Sequence, residues 1–128
     1  MNTIVKEQAI LALTPHEDHT AKEGCFVLFS SGTAALSTSA TDEVIGVIVD
    51  GDVTTGMSAV ALNGAFSGIV KVMLHSTVNQ GDYLVLSTDG TVYTDPGTGA
   101  RRRVARALES GNASELVNAV LMTPLALS

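Results

Sequence analysis

Tryptophan is missing from this chain, tyrosine and phenylalanine together number five, and Cys25 is its one cysteine. A core without large rings must be filled by Val, Leu, Ile and Ala. A sugar site built on aromatic platforms would have only Tyr83, Tyr93 and three phenylalanines to draw on. One cysteine excludes an intrachain disulfide, so stability must come from packing or association. Cations are scarce as well: seven Lys and Arg against thirteen Asp and Glu give a net charge of −6 and a pI near 4.8. That balance argues against nucleic-acid binding through the bulk surface, because phosphate contacts need a basic face. No apolar run approaches the roughly 20 residues that span a bilayer. The start of the chain does not read as a signal peptide, since Lys6 and Glu7 interrupt it and Ala9–Leu13 is a short apolar piece with no cleavage context. Synthesis and first folding in a cytoplasm are expected.

What is present is aliphatic and rich in turn formers. At 128 residues the chain is long enough for one domain with a real core. The stretch Gly81–Tyr93 reads as a β-hairpin, an apolar run of β-formers followed by a Thr-Asp-Gly turn and a short return strand. Gly24–Ala34 has the same order with one turn residue fewer. The echo continues when Val44–Gly51 is set against Val104–Gly111, and Ala59–Leu62 against Ala119–Met122. Residues 24–62 and 81–122 therefore read as two copies of one hairpin-strand unit, in a single β domain over residues 24–128. Residues 1–23 precede it as an N-terminal arm or strand plus a polar loop.

Val44–Val49 is nearly all apolar, as a strand buried on both faces should be. In this alignment Val104 and Leu108 keep the core parity, while Arg103 and Glu109 take the other. One face stays in the core in both copies; the other is buried in the first and polar in the second. A duplicated unit shows that pattern when one copy sits at an interface. Asp50-Gly51-Asp52 and Asn63-Gly64 are turn signals. Ile69–His75 alternates as a half-buried strand, with Thr123–Ser128 at the equivalent place in the second copy. Ala113–Leu121, with Asn112 as a candidate N-cap, carries helical spacing, but its match to residues 57–62 favours a strand. Many short strands with turns between them imply a sandwich or small barrel.

Candidate chemistry is thin. His16-Glu17-Asp18-His19 is the densest set of metal-ligating types, yet no second ligand pair lies at zinc-like spacing, and a solvated loop is the expectation. Asp50–Gly56 opens like a calcium loop and then lacks the later ligands. Cys25 has no activating neighbour in sequence. A Ser/His/Asp triad is a spatial matter, but there is no nucleophile elbow, and Gly97-Thr98-Gly99 is no phosphate loop. Arg101, Arg102, Arg103 and Arg106 are all the arginine in the chain. They read as a solvated, mobile loop, as a docking patch for an acidic protein surface, since guanidinium forks pair with carboxylates, or, more weakly, as a nucleic-acid contact, which would need aromatic stacking or more cations alongside.

Three features together carry a resemblance: the Gly24-Cys25-Phe26-Val27-Leu28 opening, the block Asp42-Glu43-Val44-Ile45-Gly46-Val47-Ile48, and the Gly-Asp-x-Leu-x-x-Ser-x-x-Gly-Thr-Val hairpin from Gly81. The chain resembles the capsid cement, or head decoration, proteins of tailed bacteriophages from about Gly24 to Met122. The resemblance implies an all-β fold, a small β-barrel or sandwich (β-tulip-like) with at most one short helix. It implies a homotrimer that binds the major capsid protein on the outside of an icosahedral head and stabilises it. The protein would then belong to the virion exterior, with no catalysis, no cofactor, no metal, no nucleic acid and no membrane. Expected partner contacts are Ile4, Val5, Ile10 and Leu11 in the N-terminal segment, and Arg101, Arg102, Arg103 and Arg106. The segment Ile4–Leu13 is expected to reach towards the shell or a neighbouring subunit. Two other classes compete: a carbohydrate-binding virion surface module, and a small trimeric all-β nucleotide hydrolase. The phosphate segment and glycine-rich tail of such hydrolases have no match here.

Overall fold

The computed structural model describes residues 10–52, 56–64 and 68–128. Among them there is no helix, and ten strands run in order: β1 (Ile10–Leu13), β2 (Phe26–Ser30), β3 (Thr33–Leu36), β4 (Gly46–Asp52), β5 (Met57–Leu62), β6 (Ile69–Met73), β7 (Tyr83–Leu86), β8 (Val92–Thr94), β9 (Arg101–Ala107) and β10 (Leu116–Leu127). They form two antiparallel five-stranded sheets, β1-β5-β4-β2-β3 and β6-β10-β9-β7-β8. Counted from its own first strand, each sheet has the order 1-5-4-2-3. The all-β expectation and the duplication both hold.

Each sheet curls until its edges meet. Just past β1, Pro15 bridges Ala34 in parallel, and just past β6, Leu74 bridges Val92 in the same way. The His16 amide donates to the Ala34 carbonyl at 2.8 Å, and the His75 amide to the Val92 carbonyl at 2.7 Å. Each half is thus a small barrel drawn closed at one point, which removes most of the exposed edge.

The repeat is longer than the sequence alignment had it. Strand β6 is the counterpart of β1 and opens the second copy; it is not matched to the tail. Residues 123–127 instead continue β10, where Leu125, Ala126 and Leu127 pair with Arg103, Arg102 and Arg101. Residues 10–13 likewise belong to the first sheet, paired with β5, so the unit runs over 10–62 and 69–127.

The alignment of the inner strands also shifts by one residue. Gly24 and Cys25 exchange backbone hydrogen bonds with Ile48, and Gly81 and Asp82 make the same pair with Ala107. Ile48 therefore matches Ala107, and Val47 matches Arg106. A one-residue slip exchanges the faces of a strand, which is why Leu108, expected in the core, is exposed. Asp50-Gly51-Asp52 is not a turn either. It is the end of β4, beyond an irregularity between Ile48 and Asp50. The expected hairpins are present. Ser31 and Gly32 both have positive φ, the two-residue turn that suits strand twist; the second hairpin has the longer turn ending at Gly90.

Two clusters make the core. Val27, Ala34, Ile48 and Val60, with Leu13, Leu36, Ile45 and Leu62 against them, fill the first barrel. The matching positions of the second barrel, among them Leu84, Val92, Ala107 and Ala119, lie in a larger cluster that also takes in Phe26, Val44, Val47 and Ala61 from the outside of the first barrel. The outer face of one half thus packs onto the other half. Burial of this kind contributes about 1.5–3 kcal/mol for each Phe or Val side chain.

Hydrogen bonds lock the join. The Phe26 amide donates to the Gly90 carbonyl at 2.8 Å and the Met73 amide to the Gly24 carbonyl at 2.9 Å. The Asn63 side-chain amide donates to the carbonyls of Val104 and Met122 at 3.1 and 2.9 Å. The Met122 carbonyl lies where the β9–β10 register shifts, between Leu121 and Leu125.

Candidate partner-binding face

The four arginines lie on β9, not on a mobile loop. Alternation along the strand splits their roles. Arg101 is buried and its guanidinium donates to the Asp95 carboxylate and to the Gly99 carbonyl. Arg103 donates to the other oxygen of Asp95 at 3.0 and 2.5 Å. The Asp95 side chain is only 6% exposed. Burial alone would raise its pKa. The Gly97 amide and the two guanidiniums outweigh that and hold it down to about 2. Arg102 donates to the Thr41 carbonyl at 3.2 Å, across the join between barrels. These three arginines are spent largely on holding the fold.

Arg106 is different. It is exposed, donates to the Gly81 carbonyl at 3.1 Å, and lies with its guanidinium 5.0 Å from the Tyr83 ring centroid. Arg103 stacks closer on the same ring, at 4.2 Å. Cation–π contact of this kind holds the tyrosine in place and leaves part of it open.

Cross-strand registers show what that face is. In the second barrel Tyr83 pairs with Arg106, Arg106 with Val120, and Val120 with Ile69. In the first, Phe26 pairs with Val47, Val47 with Ala61, and Ala61 with Ile10. The rows are equivalent, strand for strand. Phe26, Val47 and Ala61 are each 0% exposed, while Tyr83 is 38% and Val120 36% exposed. The sequence placed the face that is buried in the first copy and polar in the second on the parity of Arg103 and Glu109; the structure has such a face, but on the opposite parity, at Arg106. Sequence reading missed Tyr83 and Val120; the signal that would have found them is the pairing of Tyr83 with Phe26 already implied by the hairpin alignment.

Of the N-terminal candidates, Ile4 and Val5 lie outside the described residues. Ile10 is an exposed position of β1, and Leu11 is half-buried beside Val60. The structure does not bring Ile10 or Leu11 together with the arginine face.

His16, Glu17 and Asp18 lie exposed in a loop, as the sequence suggested, and only His19 departs from that expectation. His19 is buried, its Nδ1 2.7 Å from the Ser58 hydroxyl and its Nε2 2.5 Å from the Glu17 carboxylate. Glu17 also accepts from the Leu36 amide. Ser58, His19 and Glu17 thus form a hydrogen-bonded chain like that of a hydrolase. However, Ser58 is 1% exposed, in mid-strand, under a small hollow of about 130 Å³. Asp18 is occupied with the amide and hydroxyl of Thr20. No group of three or more potential metal ligands occurs among the described residues. Cys25 is buried, and that burial pushes its thiol up to about 11, far from a reactive thiolate. A larger hollow of about 260 Å³ lies where the barrels meet, lined by apolar residues such as Val49, Ile69 and Leu116, with Glu23 and Lys71 at its margin.

No protein-family model matches the chain, and no curated protein sequence matches it either.

Proposed function

We propose that this protein is a capsid decoration protein, binding the major capsid protein on the outer surface of an icosahedral phage head as a homotrimer and stabilising the shell. The observation that carries this reading is the open row Tyr83–Arg106–Val120, an adhesive face of the kind a protein assembling in copies on a shell needs. It is part apolar and part cationic, lies on a doubled β scaffold, and occupies the place that is solid core in the other copy. Tyrosine and arginine are residues that protein interfaces favour. The phage-like hairpins at Gly24 and Gly81 occupy equivalent places in the two barrels, which supports the resemblance as one running through the whole repeat. Weak contacts made by several linked copies on a repeating shell add up to firm attachment.

Co-sedimentation with empty tailed-phage heads stripped of their own decoration tests the proposal. Saturable retention on a head, with a rise in that shell's melting temperature, is the expected result. Failure to stay on any head of a broad panel, at concentrations well above those of assembly, refutes it.

Hydrolysis at Ser58 is the second reading with an observation behind it, the chain to His19 and Glu17. The near-complete burial of both Ser58 and His19 weighs against it. Labelling of Ser58 in the native protein by a fluorophosphonate, or turnover of a nucleoside triphosphate with magnesium, would restore it.

A further inference from the structure

The contact between the two barrels has an unused counterpart on each side. The first barrel offers an outer face, Phe26–Val47–Ala61, and the second receives it near its β7–β8 hairpin, where the Gly90 carbonyl accepts from the Phe26 amide. A Cβ on Gly90 would stand 3.1 Å from Cys25 Cβ and from the Phe26 carbonyl oxygen, so the hairpin tip is pressed against the first barrel. Leu86, one strand-end earlier, is 0% exposed.

The main equivalents of these groups are exposed. The outer face of the second barrel, Tyr83–Arg106–Val120, is open. In the first barrel the counterpart of Leu86 is Phe29, since Phe29 pairs with Ala34 as Leu86 pairs with Val92. Phe29 is 56% exposed, and Gly32, the counterpart of Gly90, has open space around it. One copy thus ends in an offered face at the second barrel and a receiving hairpin at the first.

We infer that these two surfaces meet between copies: the Tyr83–Arg106–Val120 face of one chain docks on the Phe29–Gly32 hairpin of the next, repeating head to tail the contact each chain makes inside itself. The occupant of the open face is therefore a second copy of this chain. Charge favours the pairing. Residues 10–62 carry seven carboxylates and one lysine, whereas residues 69–127 carry five carboxylates and five cations, so the arginine-bearing face of one copy approaches an acidic barrel of the next. Two copies joined by one such contact still have an offered face and a receiving hairpin free. Assembly runs on until rotation closes a ring or it grows as a filament. The contact stands on the internal repeat and needs no shell; only its closure at three copies rests on the decoration reading.

The test uses exposed positions, so that folding is spared. Val120→Asp and Arg106→Glu each spoil the offered face, and Phe29→Asp spoils the receiving hairpin. Mass is measured by light scattering or native mass spectrometry, with circular dichroism to verify the β fold. The unaltered chain is expected as an assembly of at least three copies. Each variant alone should fall to the 13.2 kDa monomer. Mixing Val120→Asp with Phe29→Asp leaves one intact contact per pair, so the mixture should yield two-chain species and nothing larger. Raised salt should weaken the unaltered assembly. A monomeric unaltered chain, folded variants that stay assembled, or a mixture that stays monomeric overturns the inference. A chain that assembles as described yet ignores every phage head leaves this contact standing and removes the decoration reading, so the two failures are separable. If an arm lacking residues 1–9 loses assembly while the Val120→Asp variant keeps it, the occupant is the N-terminal segment and the inference fails.

Discussion

Asp95→Asn is the substitution with the clearest consequence, because one carboxylate serves two guanidiniums. Asn has nearly the same shape but no charge, and it can accept only through a single oxygen. Arg101 is then left buried with a neutral partner, and Arg103 loses the oxygen that takes two of its N–H groups. Breaking a buried ion pair typically costs about 3–5 kcal/mol. Arg103 is 25% exposed and regains some hydration, so roughly 3 kcal/mol is expected. For a domain of this length that lowers Tm by about 10 °C. The pH dependence identifies the cause. Asp95 titrates near 2 in the folded chain against an ordinary 3.8. Its folded pKa is depressed, so its stabilising contribution is complete above about pH 4 and disappears as pH falls through about 2. Urea melts followed by circular dichroism should show a constant gap between the two proteins from pH 7 to 5, narrowing steadily below pH 4. A gap under 0.5 kcal/mol at pH 7, or one of unchanged size at pH 2, would refute the two-armed clamp.

Gly24→Ala should destabilise by more than 2 kcal/mol, since Gly24 has φ +90° and an added Cβ would lie 2.8 Å from the Met73 amide nitrogen at the join between barrels; a thermal melt within 2 °C of the parent would contradict this. Gly32→Ala, also at positive φ but in open space, should cost only the backbone strain of about 1 kcal/mol, and an equal loss at both sites would remove the distinction drawn between a glycine pressed on the second barrel and one facing open space. Cys25 should resist thiol reagents at pH 8 until the chain unfolds, because it is buried and its thiol titrates near 11; rapid native labelling would show that the join opens readily.

The hairpins were legible because turn chemistry marks them. Glycines fall at the same places in both copies, and the alternation of Val70, Val72 and Leu74 fixes the inward face of β6 by period alone. The inner strands were harder. Between Val44 and Val49, and again between Val104 and Leu108, small apolar residues match almost equally well at two offsets, and no turn lies inside either stretch to pin the register. Irregularities at Ile48/Asp50 and at Leu84/Val85 add residues on one strand and not its partner, which no pattern count sees. Three consecutive arginines read as a loop because charge predicts exposure. Here Asp95, just past β8, neutralises two of them, and that relation exists only once β7 has paired with both β8 and β9. The burial of His19 is hidden from the sequence for the same reason: Ser58, its partner, is 39 residues away.

Divergence between the copies says something about how the open face is used. Where the first barrel has Phe26, Val47 and Ala61, the second has Tyr83, Arg106 and Val120. A face meant only for water would have no need to keep Val120 and Ile69, with Leu108 and Leu116 exposed nearby. A face sealed permanently inside the chain, as in the first barrel, would bury the Arg106 charge at a cost of several kcal/mol unless a carboxylate met it. Tyr83 and Arg106 keep apolar bulk but end in polar groups that water can satisfy while the surface is bare. Their solubility in the free chain and their packing area in a complex are then both provided for. The face is therefore suited to being covered by another protein surface after folding, and its charge favours a surface that is acidic overall.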